Sequence, residues 1–153
     1  MARDEAKLSE YAEHAAALLT AAGFPRMASR VLLTLTVSET GLTAAELADR
    51  LSASAAAISG AVRYLQSFGM VRRVSQPGSR RDVYELPDNP WYSAGVSEDR
   101  FYGAMYNLAQ GIPEAAGGKD TVVGARIAEM SDFLQYFRKR LPELLDEWIR
   151  SRS

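Results

Sequence analysis

Six arginines, Arg50, Arg63, Arg72, Arg73, Arg80 and Arg81, stand between residues 50 and 81, and no Asp or Glu lies among them. The chain carries −1 at neutral pH, so this stretch is +6 and the remainder −7. Guanidinium groups gathered on an otherwise acidic body are suited to gripping nucleic-acid phosphate, through charge and paired N–H donors. The plain alternative is a chance cluster on a solvated face. Other chemistry finds little material. Cysteine is absent, which removes disulfides, thiolate zinc sites, iron–sulfur clusters and thiol nucleophiles together. His14 is the only imidazole, and Glu10 four residues before it makes two metal ligands with no third, so an ordinary solvated pair is the simpler reading. Neither G-x-S-x-G, H-E-x-x-H nor G-x-G-x-x-G occurs. "AGGKDT" at 116–121 is similar to a phosphate loop only in part: Pro113 holds the first glycine position, and Asp120 follows the lysine where Ser or Thr is needed. Glu143, Asp146 and Glu147 fall on a solvated helix face. No enzyme, metal or cofactor is called for.

The arginines need elements to position them. Leu8, Tyr11, Ala12, Ala15, Leu18, Leu19 and Ala22 repeat at helical spacing, Gly23 can end that helix, and Pro25 suits the first residue of a second, running to about Val37. Thr43-Ala44-Ala45-Glu46 reads as a capping box opening a short helix to Leu51. Ser52-Ala53-Ser54 makes a turn, and Ser54 can cap a further helix with Ile58, Val62 and Leu65 inward and Gly69 at its end. The period then changes to two. Residues 70–75 and 83–86 are short strands around Gln76-Pro77-Gly78-Ser79-Arg80-Arg81-Asp82, a basic hairpin tip. Helix, turn, helix and hairpin in this order predict a winged helix-turn-helix. The fold class expected is mainly α, with a small β hairpin.

Residues 87–95 read as a linker, after which Ser97 can cap a helix with Phe101, Met105, Leu108 and Ile112 on one face. A long last helix begins near Thr121. Its Val123, Ile127, Met130, Leu134, Phe137, Leu141, Leu144 and Trp148 alternate steps of four and three, the seam of a bundle, and Pro142 kinks or restarts it. The division expected is 1–24 an N-terminal dimerisation helix, 25–90 the winged domain and 91–153 a C-terminal helical dimerisation region. Leu8, Tyr11, Leu18, Ile127, Leu134, Phe137, Leu141 and Trp148 are the candidate homodimer interface; packing within one chain is the alternative. With 47% hydrophobic and 24% charged residues, no run long enough to cross a bilayer, and acids at its start, the chain is expected to be cytoplasmic.

Within the second helix of the pair, "SASAAAISGAVRYL" from Ser52 to Leu65 is nearly stripped of long side chains before Arg63. Alanine alone would be explained by helix propensity. Gly60 in mid-helix is not, since it costs about 1 kcal/mol relative to Ala, so close approach of another surface to the backbone accounts for it better.

Residues Thr43 to Leu86, within "LTAAELADRLSASAAAISGAVRYLQSFGMVRRV" from Leu42 followed by "PGSRRDVYEL", resemble the winged-helix core of the MarR superfamily of bacterial transcription regulators, and the short connection after Leu86 resembles its GbsR-type branch. The resemblance implies a homodimer with two winged lobes below a helical dimerisation region. It implies binding to roughly palindromic double-stranded DNA, more often as a repressor, and release by a small hydrophobic effector. Ser54, Ala55, Ala56, Ser59, Gly60 and Arg63 then line the face that enters the major groove. Arg80 and Arg81 match the family's minor-groove arginines, although Ser79 replaces the acid many members carry before that pair, which favours phosphate contact. Arg72 and Arg73 point to opposite faces of a strand, so only one serves DNA. Trp91, Tyr92, Phe101, Tyr102 and Tyr106 fall where the family holds effectors, or else simply pack the junction. The rival function is a winged protein-interaction module that has lost DNA binding.

Overall fold

The structure is a computed structural model that describes residues 2–153; Met1, the first residue of the expected 1–24 helix, lies outside the described residues. The chain forms two compact units, one through Trp91 and one from Tyr92.

In the first unit, α1 (Glu5–Ala21) packs on α2 (Arg26–Thr36), and α2 packs on α4 (Ala55–Ser67). Asp4 caps α1 by accepting from the Lys7 N–H at 3.0 Å. Pro25 is the N-cap of α2, one position earlier than expected, and its fixed φ of −57° starts the helix without a side-chain cap. Val31, Leu32, Leu35, Ile58, Val62 and Leu65 meet in the core with Leu47 of α3 (Ala44–Leu51). Phe24, Tyr64 and Phe68 close one end, with ring centres 5.0 to 6.5 Å apart.

The capping box forms as the sequence predicts: Thr43 Oγ1 accepts from Glu46 N and Glu46 Oε1 accepts from Thr43 N, both at 3.1 Å. Ser52 takes the left-handed conformation (φ 49°) that turns the chain between α3 and α4. Two strands, β2 (Arg72–Ser75) and β3 (Asp82–Glu85), form the hairpin, and the sequence reading missed a third, β1 (Leu42–Thr43). The sheet is antiparallel in the order β1-β3-β2. β1 is only two residues long, too short for an alternating pattern to show, but Gly41 marks it. A Cβ there would lie 2.4 Å from Val83 Cγ1 and 2.9 Å from the Tyr84 carbonyl, so only glycine lets the two backbones approach.

In the second unit the expected linker is corrected. α5 runs unbroken over Pro90–Leu108, so residues 90–95 are helical and Ser97 lies inside the helix rather than capping it. Pro90 supplies a first helical position, where its missing N–H costs nothing. Gly95 serves contact rather than a break, since a Cβ there would lie 2.7 Å from Leu145 Cδ2. Of the residues expected to share one face, Phe101 (58% exposed) and Leu108 (74%) face solvent, while Gly103 and Ala109 are buried. Gly111 ends this run, and Ile112 belongs to the short α6 (Ile112–Ala115).

The last helix, α7 (Val122–Ser151), continues through Pro142 without restarting. It runs antiparallel to α5: Tyr92 stacks on Trp148, Gly95 meets Leu145, and Gly103 meets Arg138. The glycine-rich stretch before α7 is a clamp. Thr121 Oγ1 donates to the Gly118 carbonyl at 2.7 Å and accepts from Gly124 N at 3.1 Å. A Cβ on Gly124 would collide with the Gly118 carbonyl, so this turn is folded onto the helix start.

Candidate nucleic-acid interface

The outer face of α4 is built from its cap upward. Ser54 Oγ accepts from Ala57 N at 3.1 Å, which fixes the helix start and leaves the hydroxyl hydrogen free to donate outward. Ile58, Ala61, Val62 and Leu65 turn inward, so Ser54, Ala55, Ala56, Ser59, Gly60 and Arg63 share the exposed side. No atom lies within 4 Å of a Cβ built on Gly60. Nothing in this chain therefore demands glycine there.

The arginines divide. Arg72 donates from Nε and Nη2 to Glu85 Oε1, both at 2.7 Å, and the two residues face each other across β2 and β3. Arg73 Nε lies 3.4 Å from Asp82 Oδ2, a carboxylate that also accepts from Ser75 Oγ at 3.3 Å. Sequence reasoning missed these pairs because Asp82 and Glu85 fall just past the last arginine. The hairpin register, counted outward from Gly78-Ser79, is the signal that finds them. Widened to residues 46–85, the stretch takes in Glu46, Asp49, Asp82 and Glu85, and its charge falls to +2.

At the wing tip, Gly78 (φ 76°) allows the turn in which Ser79 N donates to the Gln76 carbonyl at 3.2 Å. Ser79 Oγ accepts from Arg81 N at 3.1 Å. Among the described residues, Arg63 and Arg80 make neither an ion pair nor a side-chain hydrogen bond. Arg81 lies across a hollow of about 310 Å³ from Thr43, Ala44 and Ala45 at the start of α3. The Glu46 carboxyl is held below its ordinary value, first by the Thr43 backbone N–H and hydroxyl, then by the charges of Arg50 and Arg81.

A larger hollow, about 690 Å³, opens between α1, α2 and α3. Leu8, Ala12, Ala16 and Leu51 give it apolar walls, and Arg26, Arg30 and Arg50 line it with Glu5 and Glu13. Arg30 Nη2 donates to the Leu51 carbonyl at 3.1 Å. The sequence reading did not foresee this hollow, because its walls come from three separate helices.

Of the aromatic candidates, Tyr92 stacks on Trp148 (6.3 Å, 18°), Tyr102 packs between Phe101 and Phe137, and Tyr106 carries the Arg138 guanidinium 5.7 Å from its ring centre. Burial, followed by the Glu98 carboxylate, pushes the Tyr102 phenol upward. Trp91 is 56% exposed. The candidate interface residues also divide: Tyr11, Leu18, Phe137 and Trp148 are exposed, Leu8, Ile127 and Leu141 are half-buried, and Leu134 is buried within its own chain. No group of three or more metal-ligating side chains occurs among the described residues, and no described helix is long and apolar enough to cross a membrane.

Two family models match the chain in succession: a MarR-family model over residues 22–82 and a model of MmpR5-like MarR-family transcriptional regulators over residues 89–151. No curated protein matches it. The crystal structure of a transcriptional regulator superposes with a TM-score of 0.84 at 26% identity, covering 94% of this chain and 99% of that one. A MarR-family regulator from Rhodococcus sp. RHA1 matches at 19% identity over 84% of this chain and 88% of its own, with a TM-score of 0.44. The adhesin competence repressor AdcR of Streptococcus pyogenes matches at 21% identity over 90% and 96%, with a TM-score of 0.42.

Proposed function

We propose that this chain, a member of the MarR family of winged-helix regulators, binds double-stranded DNA as a homodimer and represses transcription by occupying a promoter. The observation that carries the reading is the exposed face of α4, bare of long side chains up to the unpaired Arg63, with Arg80 at the wing tip. Such a face lets a helix backbone enter a major groove about 12 Å wide. Few of its groups make bidentate base contacts, so half-site spacing and DNA shape carry much of the specificity. The functional class suggested by family and fold is regulation rather than catalysis.

An effector fits the hollow between α1, α2 and α3 better than the aromatic cluster, whose Tyr92, Tyr102 and Tyr106 already have partners. At about 690 Å³ it has the size of a small-molecule site. Its apolar walls and its three arginines, offset in part by Glu5 and Glu13, suit a ligand with an apolar body and a single anionic group.

The test is selection of sheared genomic DNA by the wild type and by Arg63→Ala/Arg80→Ala. A shared inverted repeat, retained by the wild type and lost by the variant, is the expected result. Equal retention by both would remove the basis of the reading. The rival, a protein-interaction module, draws support from the neutralised Arg72 and Arg73, and it gains if the wild type retains no DNA.

A further inference from the structure

Arg30 stands on α2, yet its guanidinium is bound to the backbone of another element: Nη2 donates to the Leu51 carbonyl at 3.1 Å. It pairs with no carboxylate among the described residues. Leu51 is the last residue of α3, and Ser52 after it is, among the described residues, the one residue other than glycine with positive φ. A side chain makes that conformation costly, so neighbouring contacts have to hold it. The turn supplies two of them, with Ser52 N donating to the Asp49 carbonyl at 3.3 Å and Ala53 N to the Ala48 carbonyl at 3.0 Å. Both stay within α3 and its cap. The bond from Arg30 ties the turn to a second helix, and it sets a cation at the negative end of the α3 dipole. Two residues past Ser52, Ser54 caps α4, whose outer face is the surface proposed to enter the groove.

We propose that Arg30 is a positioning residue for DNA recognition: through the Leu51 carbonyl it holds the Ser52 turn in the arrangement that presents α4. The inference rests on the DNA-binding reading above. Arg30 thus differs in kind from Arg63 and Arg80. It meets no phosphate, and it acts on affinity through the fraction of chains whose turn is in place.

Affinity for the selected operator and its dependence on salt are measured for the wild type, Arg30→Met, Ser52→Gly and Arg30→Met/Ser52→Gly, with helix content followed by circular dichroism. Methionine keeps an unbranched, adaptable stem and removes the donor. Arg30→Met is expected to weaken binding about tenfold, the low end for a hydrogen bond from a charged donor, at an unchanged salt slope. An arginine that met phosphate would instead flatten the slope by about 0.9 when removed. Glycine takes the left-handed conformation without steric cost, so Ser52→Gly is expected to bind like the wild type and, in the double variant, to recover most of the loss. A packing defect around residue 30 would not be recovered that way. If Arg30→Met does not fold, Arg30→Lys takes its place; it keeps the charge without the planar fork, and a loss of about two- to threefold with the same recovery is expected. Unchanged affinity, a flattened slope, or no recovery by Ser52→Gly would overturn the inference and leave the regulator reading standing. A wild type that binds no DNA would bring down both.

Discussion

Gly60 separates the needs of the free protein from those of a complex. Space around its Cβ position is open, so Gly60→Ala is expected to stabilise the chain by about 1 kcal/mol through helix propensity. In a complex the added methyl meets the DNA, and affinity is expected to fall about tenfold, in line with the cost of overpacking a fitted surface. Urea unfolding and operator binding on the same preparation check the pair, and a gain in stability with unchanged affinity would refute close approach at this helix. At this scale the sequence was legible where chemistry is local. The caps at Thr43 and Ser54 and the inward Ile58, Val62 and Leu65 all follow from spacing. The partners of Arg72 and Arg73 do not, because a carboxylate beyond the end of a charge cluster joins it only through strand register.

At the scale of elements, α3 is short and depends on its first turn. Thr43→Ala removes the acceptor for Glu46 N and is expected to cost about 1 kcal/mol, measured by chemical denaturation. The helix also responds to pH. The Glu46 carboxyl lies below its ordinary value in the folded chain, chiefly through the Thr43 backbone N–H. Its contribution is therefore complete above the unfolded value and lost as pH falls through the folded one. The difference in thermal midpoint between the wild type and Glu46→Gln is expected at neutral pH and should vanish in acid; a difference that persists in acid would show that charge is not its source. Elements were misread where one residue type serves two purposes. Pro90 and Gly95 carry the usual marks of a linker, yet one begins α5 and the other admits Leu145. Only packing against a distant helix tells these uses apart.

For the whole molecule, the apolar surface that one chain leaves open is the feature to explain. On α7, Val122, Phe133, Tyr136 and Leu144 are each more than half exposed, and on α1 Tyr11 and Leu18 are as well. Apolar patches much larger than a few hundred Å² are uncommon on monomers, and a twofold axis buries the same patch twice. Repeating apolar positions told which residues avoid water, but the pattern reads the same whether the cover comes from one chain or two. Leu144 offers a probe, being 64% exposed and itself no member of the ring pairs between α5 and α7. Leu144→Glu is expected to keep its helix content by circular dichroism while its sedimentation mass drops from two chains to one. Each winged unit then reads a single half-site, and without the linked second unit operator binding is expected to weaken by about 10²- to 10⁴-fold. A wild type that sediments as one chain, or a Leu144→Glu dimer that stays intact, would place the cover of this α7 surface somewhere other than a second copy.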